Sequence, residues 1–156
     1  MLRFLPFLYG CCLLAACGPN IIYEKETPIP DAAWTYADSL TFDFAIVDTA
    51  GIYNLFLDVT HGPDYAYQNL YTRLVTEFPD GRTLDQTLSL ELADKTGRWN
   101  GNCGGTTCTA RIALQEGAYF DLAGEYTLTV HQYMRKASLP GVQAVGLAVE
   151  KTEQTR

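Results

Sequence analysis

Basic charge is scarce in this chain. Lys plus Arg number 11 against 18 Asp plus Glu, giving a net charge of −7. A general nucleic-acid binder needs a basic surface to displace phosphate counterions, so that class is excluded. Serine and histidine are rare as well: Ser39, Ser89 and Ser138, with His61 and His131. No serine stands in a Gly-x-Ser-x-Gly elbow or three residues before a Lys. A serine hydrolase also needs a His and an acid around its nucleophile, and neither histidine has a motif around it. A Gly-rich phosphate loop and an Asp-x-Asx-x-Asx calcium run are both missing. No catalytic residue, cofactor or metal is therefore expected. Long apolar runs are missing too: the longest, Phe4 to Leu14, is interrupted by Pro6. A permanent membrane-spanning helix needs about 20 apolar residues.

What is present begins with an export address. Arg3 supplies a positive start, and the apolar run ends in Leu14-Ala15-Ala16-Cys17-Gly18. This pattern resembles the lipobox of bacterial lipoproteins, in which small residues precede a Cys that is acylated and becomes the new N-terminus. Residues 1–16 are then the signal peptide and Cys17 the lipidation site. More than one acyl chain gives stable attachment, at about 0.8 kcal/mol per buried methylene. The first expected partner is therefore membrane lipid, held through acylated Cys17. Position 18 is Gly and not the Asp that retains lipoproteins at the inner membrane in some Gram-negative bacteria, which favours the outer membrane.

The cysteine count then closes. Of five Cys, Cys11 and Cys12 leave with the signal and Cys17 carries lipid, so Cys103 and Cys108 remain. An exported chain meets oxidising conditions, and a close pair there reads as a disulfide. Free thiols, or a zinc site completed by His61 and His131, are the alternatives.

From Asp38 onward apolar residues alternate with period two. Leu40, Phe42, Phe44 and Ile46 share one face, as do Tyr53, Leu55, Leu57 and Val59. Further sets are Leu84, Leu88, Leu90 and Leu92; Tyr126, Leu128 and Val130; and Val145, Leu147 and Val149, the last opposed by Ala144 and Ala148. Such alternation puts one side of each strand in a core and the other in water. Turn residues such as Pro79-Asp80-Gly81 and Pro140-Gly141 separate the sets. Asn69 to Phe78 also fits a helical stripe, but β-branched Thr72, Val75 and Thr76 favour a strand. The fold class is all-β: a single β-sandwich domain with jelly-roll or immunoglobulin-like connections, spanning residues 34–151. Residues 17–33, with Gly18-Pro19-Asn20 and Thr27-Pro28-Ile29-Pro30-Asp31, read as a lipidated N-terminus and flexible tether, and residues 152–156 as a polar tail.

The remaining candidates are weaker. Asp43, Asp58 and Glu91 fall on polar strand faces, where a facing pair would suit a glycosidase. Tyr65, Tyr67, Tyr71, Trp99 and Tyr133 are the aromatics available for a sugar-stacking platform, although aromatics in sheets commonly serve as core or cross-strand pairs.

Several stretches, taken in order, carry a resemblance. They are Thr60 to Tyr71, Phe78-Pro79-Asp80-Gly81, Glu91-Leu92-Ala93-Asp94, Gly97-Arg98-Trp99-Asn100-Gly101, Gly124 to Arg135, Leu139 to Val142 and Val145-Gly146-Leu147. With the lipobox, they look like the gliding-motility lipoprotein GldH family of Bacteroidota. The resemblance implies a non-catalytic accessory lipoprotein of the cell envelope, with other envelope proteins of the gliding or secretion machinery as partners. A carbohydrate-binding envelope lipoprotein is the alternative, and a hydrolase ranks third. His61, Ala66 and the Cys103–Cys108 loop depart from the family pattern. Cys17→Ser is expected to abolish incorporation of radioactive fatty acid, and labelling at the wild-type level would overturn the lipobox assignment.

Overall fold

The computed structural model describes residues 19–155. The expected signal peptide and Cys17 lie outside the described residues. Eleven strands follow in order: β1 (Asn20–Pro28), β2 (Ala33–Thr35), β3 (Leu40–Ile46), β4 (Gly51–His61), β5 (Asn69–Glu77), β6 (Thr83–Glu91), β7 (Asn102–Gly104), β8 (Thr107–Ala118), β9 (Gly124–Gln132), β10 (Ser138–Pro140) and β11 (Val142–Thr155). The molecule is all-β, and Asn69–Glu77 is a strand as its β-branched content requires.

Eight long strands form two sheets, ordered β1-β11-β4-β8 (with short β7 at the end) and β3-β9-β5-β6. The pairing is nested. β1 pairs β11, β3 pairs β9, β4 pairs β8 and β5 pairs β6, all antiparallel. Rolling this long double ribbon brings β11 onto β4 and β9 onto β5. Of the two connections anticipated, this is the jelly roll, a double-sheet arrangement that leaves few exposed edges. The small ribbon of β2 and β10 closes one end.

The apolar sets meet between the sheets. Leu40, Phe42, Phe44 and Ile46 face Leu57, Val59, Leu147 and Val149, all buried. Trp34 is fully buried and its indole N–H donates to the Asp38 carbonyl at 2.7 Å, so its one polar atom is satisfied. Fully burying each large apolar side chain contributes roughly 1.5–3 kcal/mol.

Two expectations need correction. The segment read as a flexible tether contains β1, an edge strand that pairs with β11 from Asn20↔Lys151 to Pro28↔Ala144. Its sequence hid this because an edge strand with one weakly covered face tolerates Glu24, Lys25 and Glu26, and a Pro at its end. Pro30–Ala32 then makes a single 3-10 turn into β2. The expected polar tail likewise continues β11 to Thr155, which pairs with Gly51. Strand structure thus runs past both ends of the expected 34–151 domain.

Ala144 and Ala148 also differ from expectation, being buried on the face assigned to water. Ala148 lies between Glu24 and Phe56 in the ladder, and the Arg111 guanidinium covers Phe56 at 5.6 Å from its ring centre. Only small residues fit beneath that cover. β11 is therefore a central strand buried on both sides. Leu147→Ala, at its middle, is expected to cost about 2–5 kcal/mol in urea unfolding, while an exposed control such as Thr87→Ala is expected to shift little.

Candidate functional site

The sandwich is pinned on one side and open on the other. At the pinned side, the Lys25 ammonium donates to the Thr41 carbonyl at 3.3 Å, and the Tyr23 and Phe44 rings lie 5.9 Å apart. At the open side β6 and β8 face each other, and β7 covers β8 only over Thr107–Thr109. A cavity of about 280 Å³ opens there. Its floor is the aromatic cluster of Phe44, Phe78, Phe120 and Tyr126, with Phe120 and Tyr126 4.9 Å apart. Leu84, Gln86 and Arg82 stand at its rim. Leu84 faces inward by alternation yet remains 47% exposed, because no strand of the opposite sheet reaches it. Burial raises the Tyr126 phenol pKa; its O–H donates to the Leu122 carbonyl at 2.9 Å.

At the end carrying the β4 C-terminus, the stretches Thr60–Tyr71, Glu91–Asp94 and Gly97–Gly101 converge. His61 is fully buried, with Nδ1 2.8 Å from the Gly62 carbonyl oxygen and its ring 4.4 Å from Trp99. Tyr65 packs against both, and desolvation drives its phenol pKa well above the ordinary value. Trp99 is delivered by a turn built on Asp94, whose carboxylate accepts from the Thr96 hydroxyl at 2.6 Å and from the Thr96 and Arg98 N–H groups. The Ala93↔Trp99 bridge completes it. Gly101 follows with φ +90°, where a Cβ would collide with the Thr109 carbonyl.

The other candidates scatter. Cys103 and Cys108 are joined in a disulfide that closes the β7–β8 hairpin beside His61, which pairs with Cys108. With both sulfurs in that bond, the zinc alternative fails. His131 sits opposite Arg73 on the other sheet. Among the described residues no three of His, Cys, Asp and Glu converge on a metal position. Asp58 lies on one sheet, bonded to Arg111, while Asp43 and Glu91 lie on the other, accepting from Thr127 and Ser89. The five aromatics do not form one platform. Tyr65 and Trp99 pack with His61, and Tyr67 packs on Tyr65, whereas Tyr71 on β5 and Tyr133 just after β9 stand exposed. Sequence alternation missed the groove, since no local pattern reports which strand the opposite sheet leaves uncovered.

The family model for the GldH lipoprotein matches residues 21–149. The chain belongs to this family. It is 26% identical over 94% of both chains to the gliding motility lipoprotein GldH homolog of Christiangramia forsetii. Identity and coverage are the same for gliding motility lipoprotein GldH of Flavobacterium johnsoniae. Among solved structures, one of infectious bursal disease virus matches at 12% identity over 83% of this chain and 39% of that one, with a TM-score of 0.20, too low to bear on the fold. Membership makes this a lipid-anchored lipoprotein of the cell envelope tied to gliding motility.

The Asp94 turn gives a pH prediction. Hydrogen bonding, first from the Thr96 hydroxyl, holds the Asp94 pKa at about 2, against about 3.9 for an unfolded Asp. A depressed carboxylate stabilises fully above its unfolded pKa, and that contribution fades as pH falls toward its folded one. Asp94→Ala is expected to lower stability above pH 4 and to make the acid limb shallower. Urea midpoints across the acid range, with near-ultraviolet dichroism following Trp99, check both.

Proposed function

We propose that this GldH-family lipoprotein is a non-catalytic accessory component of the gliding machinery, lipidated at Cys17 and docked to other envelope proteins. The supporting observation is how its charged groups are employed. Arg111 holds Asp58 at 2.7 Å, Glu24 at 3.3 Å and Glu150 at 3.6 Å. Lys151 holds Asp48 at 2.7 Å, Arg82 holds Asp80 at 2.6 Å, and Arg73 grips Asp85. The Asp48, Asp80 and Asp85 pKa values are lowered by these partners, first of all by their side-chain hydrogen bonds. A carboxylate held ionised by a fixed cation is poorly placed to donate a proton, so these groups shape the surface. Lipid attachment confines such a module to two dimensions and raises its effective concentration near membrane-bound partners.

A carbohydrate-binding lipoprotein is the second reading. Tyr36, Tyr71 and Tyr133, each about half exposed, surround Met134, where the Tyr36 hydroxyl donates to its carbonyl at 2.6 Å. Deletion of the gene is expected to stop colony spreading, and a Cys17→Ser copy is expected not to restore it. Normal spreading in the deletion strain would overturn the leading reading and leave the tyrosine patch as the surface to pursue.

A further inference from the structure

Because β1 is already paired at Asn20, little free chain separates the domain from its membrane. Residue 17 is three positions before Asn20, the first residue of β1. Three residues reach at most about 10 Å. A lipid on Cys17 therefore holds the start of β1 within that distance of the headgroups. This inference rests on the Cys17 anchor.

The end so placed is defined by the ladder. Asn20 pairs with Lys151, and Lys151 is bonded to Asp48 in the β3–β4 turn. Tyr53 donates its hydroxyl to the Asp48 carbonyl at 2.6 Å and pairs with Ala118, the residue before Tyr119. Three chain segments are thus locked together around the start of β1. Each presents apolar surface to solvent at its tip: Ile21 at 41% and Ile22 at 39%, Val47 at 87% and Tyr119 at 60%. Val47 is the most exposed large apolar residue among those described.

We propose that this end is a membrane-contact surface, with Val47, Tyr119 and the Ile21-Ile22 pair resting in the headgroup region of the bilayer that holds the lipid. Tyrosine is favoured at that depth because its ring is apolar and its hydroxyl is wet. The charged groups of this end set the depth. The Asp48–Lys151 and Asp80–Arg82 pairs are neutralised. Exposed Glu116, Glu125 and Glu153 leave it acidic. The contact is accordingly shallow and suited to zwitterionic headgroups. Strand β4, with 11 residues, places the opposite end roughly 30 Å farther out at about 3.3 Å per residue. That opposite end holds Trp34, Trp99 and Tyr133, and is presented to envelope proteins.

Brominated lipid tests this, because bromine quenches tryptophan only within the bilayer. Lipidated full-length protein is incorporated in phosphatidylcholine vesicles containing brominated phosphatidylcholine. Wild-type emission, from Trp34 and Trp99, is expected to be unquenched. Val47→Trp and Tyr119→Trp are each expected to add emission that brominated vesicles selectively remove, while the emission added by Tyr133→Trp survives. Protein that floats with the vesicles yet shows equal quenching at all three positions would overturn the orientation and leave the anchor standing. Protein that fails to float would overturn the anchor, and this inference with it.

Discussion

The ladder through β11 is the constraint on which the rest depends. This strand pairs with β1 on one edge and β4 on the other, and both of its faces are covered. Inward, Val145, Leu147 and Val149 fill the core. Outward, Ala144, Gly146 and Ala148 are small enough for the Phe56–Arg111 layer and its carboxylates to close over them. A Cβ on Gly146 would stand 3.2 Å from the Lys25 carbonyl oxygen, so even that position has little room. Bulk on the outer face would lift Arg111 off Phe56 and break its contacts with Glu24, Asp58 and Glu150, which tie β8 to β1, β4 and β11.

With the lipid at Cys17, as proposed, the same ladder is the mechanical link between anchor and body. A pull on the N-terminus directed along β1 loads the β1–β11 pairing in shear, sharing force among successive hydrogen-bonded pairs and not opening them one at a time. The tether reading would have placed compliance there. A paired strand transmits force instead, a different property for a lipoprotein of a motility apparatus.

The strands of the body were legible because their inner faces are buried by the opposite sheet, which forces strict alternation. Leu40 to Ile46 and Tyr126 to Val130 are the clearest cases. β1 was not legible for the converse reason: at an edge, Tyr23 and Thr27 are only half covered, so selection for alternation is weak and Glu24-Lys25-Glu26 resembles a linker. Residues 152–155 were missed on the same ground. The disulfide was legible from export and proximity. The groove was not, because Leu84 and Leu90 look alike in sequence and differ only in whether the opposite sheet reaches them. The tyrosine set was misgrouped because Tyr65 and Tyr71 lie close along the chain but on different layers.

Rings are buried at both ends of the sandwich, and the ends differ in the turns that they present. At the end holding His61, Tyr65 and Trp99, aromatic rings are buried and the turn that carries Trp99 is fixed by three hydrogen bonds to one carboxylate. Such a surface is rigid, and a partner meets a preformed shape with little ordering entropy left to lose. At the end holding Val47 and Tyr119, apolar groups project from short turns into solvent, a disposition that costs free energy unless something covers it. With the lipid at Cys17, as proposed, a bilayer about 10 Å away would supply that cover without demanding shape complementarity. The division of labour follows from chain connectivity: β1 begins at one end, and the turns that carry His61, Tyr65 and Trp99 lie at the other.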